Sequence, residues 1–339
     1  MARIFRLELA LSLCFSFAFL VFWAAPTRAQ DLGAAEKALK EKNYDKVIEI
    51  LGPNVEKLKR DGLHLLAEAY SQKDNSLSAI KLYEAALALN PKDASSKRKI
   101  GLEYIKMKKE KEALLALREA IEMNPKYEPA YLDMARILEK REENKKDKPN
   151  RYDIRLLYED LIAKVGEKPE YVTKLCELTT LDGQYTLSKQ HCLKGIELNN
   201  KEPNNYVYLA MTYRDTGDQD KALKYFTKAA DSFPKSELAQ LSLADFYVEQ
   251  KNFMKAYVYY KRSTEADESS IPGLYGLARS SLEIQKYEDA YQALTKACKI
   301  NRSASMEVRK ALKSVNQQKS PEWSTKFDQL LDSCGLSAE

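Results

Sequence analysis

The chain has 339 residues, 44% apolar and 31% charged, with only 11 Gly and 11 Pro. That composition excludes a disordered polymer and a turn-rich β fold, and its Lys, Leu, Ala and Glu suit helices. With 55 Lys and Arg against 50 Asp and Glu the net charge is +5, too near balance for the strong basic field of a nucleic-acid binder.

Residues 1–29 differ from the rest. Arg3 and Arg6 precede an apolar run from Leu9 to Trp23, followed by Ala24-Ala25-Pro26-Thr27-Arg28-Ala29. This order predicts a secretory signal peptide cleaved after Ala29. The alternative is an uncleaved membrane anchor, although the run is shorter than the roughly 20 apolar residues a bilayer span needs. Removing the leader takes away three Arg and one Glu, so the charge falls from +5 to +3.

Next comes a short segment, residues 30–59, with Ala34-Ala35 and a turn at Asn43-Tyr44. A periodic pattern then sets in. Pro91, Pro125 and Pro234 each have an Ala five residues earlier (Ala86, Ala120, Ala229) and another twelve earlier (Ala79, Ala113, Ala222), and a Tyr twenty-one earlier (Tyr70, Tyr104, Tyr213). Pro91 and Pro125 are 34 residues apart. A fixed period of this length is the mark of a stacked repeat fold.

The block 60–93 carries Leu66-Ala67, Tyr70, Ala79, Tyr83, Ala86 and Pro91, which resembles the tetratricopeptide repeat at positions 7-8, 11, 20, 24, 27 and 32. Further blocks follow at 94–127, 128–168, 169–202, 203–236, 237–270 and 271–304. The third is interrupted: Leu138 to Ile154 exceeds the expected gap by seven residues, and Glu139–Arg151 reads as a charged insertion. Residues 305–339 are expected to form capping helices over Met306–Val315 and Pro321–Ser333. The resemblance implies an all-α fold, a right-handed solenoid of helix-turn-helix repeats in which small residues at positions 8, 20 and 27 let helices approach and large ones at 4, 7, 11 and 24 fill the space.

No H-E-x-x-H, G-x-S-x-G, phosphate-cradling loop or C-x-x-C is present, so no catalytic residue, metal, cofactor or small-molecule substrate is expected. His64 and His191 belong to distant repeats; His64 could line a groove but reads more simply as a solvated residue. Cys176 and Cys192 occupy positions 8 and 24 of one repeat, facing across its two helices, and Cys298 and Cys334 fall on neighbouring second helices. Two disulfides or four buried thiols are both open readings.

In relatives of this pattern, partners lie along first-helix positions 2, 5, 6, 9, 12 and 13. Here those positions give Tyr208, Met211, Arg214, Tyr275 and Arg279 as the candidate patch, with Arg136 further up the chain; aromatic, Met and Arg side chains are favoured interface anchors. The Lys and Asn with which some relatives grip a C-terminal carboxylate are absent from positions 5 and 9. The resemblance implies a non-enzymatic scaffold binding a protein or peptide segment. Likeness to secreted bacterial repeat proteins implies the periplasm and work in envelope assembly, secretion or pilus machinery. A peptidoglycan or carbohydrate binder using groove tyrosines, and a self-assembling structural oligomer, are the alternatives.

Overall fold

The computed structural model describes residues 28–143 and 151–336. All but the last two residues of the leader, and most of the charged insertion, lie outside them. The described residues contain helices and no strand, and they divide into two compact units, residues 1–137 and 138–339.

In the N-terminal unit, α1 (Arg28–Lys40) pairs with α2 (Tyr44–Leu51), and a 3-10 turn over Gly52–Lys57 leads to α3 (Arg60–Gln72) and α4 (Ser76–Leu89). α5 (Ala94–Lys106) and α6 (Glu110–Met123) follow, and α7 begins at Glu128 and ends at Glu143, three residues longer than α5. The C-terminal unit contains the end of α7, α8 (Tyr152–Val165), and then α9 (Pro169–Leu181) with α10 (Tyr185–Leu198). Three more hairpins come next: α11 (Pro203–Asp215) with α12 (Gln219–Ser232), α13 (Glu237–Glu249) with α14 (Phe253–Ala266), and α15 (Ile271–Glu283) with α16 (Tyr287–Ile300). α17 (Ser305–Gln317) and α18 (Pro321–Leu336) close the unit. Helices adjacent in sequence pack on one another from α1 to α6 and from α8 to α18.

The turns explain why these helices stop where they do. Asp74, Lys108, Gly183, Gly217, Lys251, Gln285 and Lys319 all have positive φ, between 56° and 85°. From Gly183 to Lys319 they recur every 34 residues, and Lys108 and Gly183 are two periods plus seven apart. At each, the next amide donates back across the helix end, as Asn75 N to Tyr70 O (2.9 Å), Asp218 N to Tyr213 O (2.9 Å) and Ser320 N to Val315 O (3.3 Å). This is the Schellman closure, in which one left-handed residue lets the chain reverse while satisfying the orphan carbonyls. Asn75, Asp218 and Asn252 then cap the following helix, each side chain accepting from the amide three residues on. Lys319 keeps the same phase, so α17 and α18 continue the repeat geometry instead of lying across it as an unrelated lid.

Packing follows the same period. Ala67, Ala79 and Ala86, then Ala210, Ala222 and Ala229, are 0% exposed; their small side chains bring helix axes together. Phe226 is fully buried against Phe246, ring centroids 5.3 Å apart, a burial of about 1.5–3 kcal/mol per such side chain. Where the alanine pattern lapses, the structure compensates. Gly195 faces Asn205, and Gly273 faces Ser263, so in each pair a glycine stands opposite a larger residue of the adjoining helix.

Both cysteine pairs are bonded: Cys176 to Cys192 between α9 and α10, Cα atoms 4.7 Å apart, and Cys298 to Cys334 between α16 and α18, 5.3 Å apart. The first sits in a buried hydroxyl cluster in which Ser188 Oγ lies 2.7 Å from Thr180 Oγ1 and 2.5 Å from Thr212 Oγ1.

Candidate functional site

The first helices of the N-terminal unit carry many charges, and these neutralise one another. Arg98 Nε lies 2.5 Å from Asp133 Oδ2, and Arg136 Nη1 lies 3.1 Å from Oδ1 of the same buried carboxylate. Lys99 donates to Glu68 (2.7 Å), which also accepts from Gln72 (2.9 Å). Glu103, 2% exposed, accepts from Ser71 (2.6 Å) and Ser76 (2.7 Å), with Lys106 3.3 Å away. Arg136 is thus exposed but tethered to Asp133.

His64 departs from its reading as a solvated residue. Its Nε2 lies 2.6 Å from Ser96 Oγ and 3.4 Å from Asp93 Oδ2, and its ring meets Tyr83 edge-on at 5.4 Å. Burial lowers its pKa, against the opposing pull of Asp93. Asp93 itself is held at about 2: burial raises it, but hydrogen bonds from Arg60 and Ser96 outweigh that. Sequence reasoning missed this cluster because its members come from two repeats, 32 or 33 positions apart. The period would have paired them, since Arg60 and His64 stand one repeat before Ala94 and Arg98, next to Asp93.

In the C-terminal unit the first-helix face is less fully cancelled. Lys174 bridges Glu139 (3.2 Å) and Glu177 (3.1 Å), and Arg151 meets Asp182 at 3.4 Å. Tyr208 and Met211 are half-buried on α11, and burial followed by the charge of Glu177 raises the Tyr208 phenol. Arg214, one turn on, donates to Asp215 (2.8 Å) and Glu249 (3.3 Å). On α13, Asp245 accepts from the Tyr260 hydroxyl at 2.5 Å, and burial raises its pKa despite that bond. Tyr260 reaches this place because residue 276 is glycine; a β-carbon there would stand 2.2 Å from its ring. On α15, Tyr275 is half-buried and Arg279 exposed. Arg279 makes no ion pair among the described residues, in contrast to Arg136 and Arg214.

This face presents aromatic and thioether surface, one guanidinium without an ion pair among the described residues, and a carboxylate already engaged by a phenol. No group of three or more potential metal ligands occurs among the described residues. Hollows of about 540 and 360 Å³ are found elsewhere, beside Arg262 and beside Tyr257 on the second helices. No helix among the described residues is long and apolar enough to cross a membrane. The two disulfides are compatible with an exported protein.

The sequence profile of the tetratricopeptide repeat matches residues 61–93 and 99–127, and that of the anaphase-promoting complex, cyclosome, subunit 3 matches 215–297. A curated relative, anaphase-promoting complex subunit 3 of Schizosaccharomyces pombe, is 27% identical over 107 residues; these make up 32% of this chain and 16% of the relative. Two solved structures share the fold. One is the C-terminal part of a repeat protein from Cytophaga hutchinsonii (TM-score 0.55, 17% identity, covering 73% of this chain and 99% of that one). The other is a tetratricopeptide repeat protein from Parabacteroides merdae (TM-score 0.53, 16% identity, covering 79% and 98%). With the repeating turns, the alanine contacts and these likenesses together, the chain is a tetratricopeptide repeat protein.

Proposed function

We propose that the chain is a non-enzymatic scaffold that holds a segment of a partner protein on the first-helix face of residues 203–304. Tyr208, Met211, Arg214, Tyr275 and Arg279 are the contact residues. The observation that carries the reading is Arg279, an exposed guanidinium one turn from Tyr275 without a carboxylate partner among the described residues, on a face whose other arginine, Arg214, is paired. A cation left unpaired beside aromatic surface is a favoured anchor for a protein ligand. The curated relative is by name a subunit of a complex, which agrees in kind with scaffolding.

The leader-like residues 1–29 and the two disulfides support export, with the periplasm as the compartment and envelope assembly, secretion or pilus work as the setting. Crosslinking in the living cell followed by mass spectrometry tests the reading. A protein joined to residues 203–304 is the expected result, and recovery of cell-wall fragments alone would replace the scaffold with a glycan binder.

A further inference from the structure

A second surface of the same unit runs along α12 and α14, and its charges are arranged differently. Tyr213 and Tyr225 stack with centroids 5.6 Å apart and planes 7° from parallel. Thirty-four positions later Tyr247 and Tyr259 repeat the arrangement at 5.7 Å and 22°. Cations sit over these rings in the same period: Lys221 over Tyr213 (5.2 Å) and Lys255 over Tyr247 (5.0 Å). Lys228 lies over Tyr206 (4.9 Å) and Arg262 over Tyr259 (5.0 Å).

The choice of partner matters. A carboxylate would cancel each charge, whereas an aromatic ring holds a cation through its quadrupole and carries no net charge of its own. Lys221 is paired with Asp218 at 2.7 Å, whereas Lys228 and Lys255 make no ion pair among the described residues and Arg262 reaches Asp231 only at 3.9 Å. The rings therefore hold Lys228, Lys255 and Arg262 in place while leaving their field directed outward. Met254 and Val258, 56% and 39% exposed, stand beside them on α14.

We propose that this ladder of cations along α12 and α14 is a docking surface for an acidic, extended segment of a partner protein. Charge complementarity selects an anionic occupant, and Met254 and Val258 supply apolar contact for a polypeptide. Exposed Asp220, Asp231 and Glu265 interleave with the cations. A flat anionic membrane would press on those carboxylates, while a single chain running along the ladder avoids them. The surface is separate from the first-helix face of Arg279, so the two readings stand or fall independently.

The test uses the purified chain and a fluorescein-labelled oligoglutamate, read by anisotropy at low and at high salt. Binding that weakens with salt is expected, because the contacts are between exposed charges. The triple variant Lys228→Gln, Lys255→Gln, Arg262→Gln should bind at least about tenfold more weakly, the Coulomb energy of three contacts at several ångströms in water being of that order. Lys313→Gln, an exposed charge on α17, should bind as the parent does, and Lys228→Arg, Lys255→Arg, Arg262→Lys should restore binding. A triple Gln variant that binds as tightly as the parent, or a parent that ignores the peptide yet sediments with phosphatidylglycerol vesicles, would overturn the assignment.

Discussion

The side-chain oxygen of Asn205 lies 2.4 Å from the point where a β-carbon on Gly195 would stand. Asn205 is fully buried, and its Nδ2 donates to Thr173 at 2.9 Å. The residue that most repeats make alanine is therefore glycine here because the facing residue is large. Elsewhere the same contact joins two alanines, as Ala120 with Ala130, both 0% exposed.

Gly195→Ala should cost about 1–3 kcal/mol in urea unfolding, the usual penalty for forcing a group into a filled interior. Gly195→Ala with Asn205→Ala should recover much of that loss, so the pair gives a positive coupling in a double-mutant cycle. Additive losses would show that the two residues do not compete for one space.

The left-handed turn residues make a second test. Gly217 has φ of 85° and open space around its Cα, so its value is conformational alone. Gly217→Ala should destabilise by about 1 kcal/mol, and Lys251→Gly at the equivalent turn should stabilise by about 0.5–1 kcal/mol. Thermal midpoints of the two variants, moving in opposite directions, check this.

The Cys176–Cys192 bond closes a loop of 16 residues beside the replaced alanines. Cys176→Ser, Cys192→Ser should lower stability by about 3 kcal/mol. Thiol titration of the unreduced protein, unfolded in denaturant, should find none of the four cysteines from 176 onward free.

Asp93 makes stability sensitive to acid. Its folded pKa of about 2 lies below its ordinary 3.8, so its contribution is complete above that ordinary value and is lost as the pH falls through 2. Asp93→Asn should flatten the stability curve between about pH 4 and pH 2 while lowering its neutral plateau, because Arg60 and Ser96 lose a charged acceptor. Urea midpoints across that window supply the measurement.

Much of the architecture was legible in the sequence because alanine spacing and helical period are local. The alanines of the matched repeats are buried, and the seven-residue offset before Gly183 is visible in the turns. The phase of Lys319 was not legible, since left-handed geometry at a lysine has no composition signature. The His64–Asp93–Ser96 cluster was legible only through the repeat period, since its members meet when neighbouring repeats stack. On the first-helix face, Tyr208, Met211 and Arg214 could be placed by position number, but position number does not say which arginine is already paired. Arg136 belongs to Asp133 and Arg214 to Asp215 and Glu249; only the coordinates separate them from Arg279.

A photo-crosslinking amino acid placed at Tyr275 in the living cell tests the scaffold most directly. The account predicts one dominant protein adduct, strongly reduced by Arg279→Glu and unchanged when Lys228, Lys255 and Arg262 are replaced by Gln. Equal adducts with and without Arg279, or no protein adduct at 275, would contradict it.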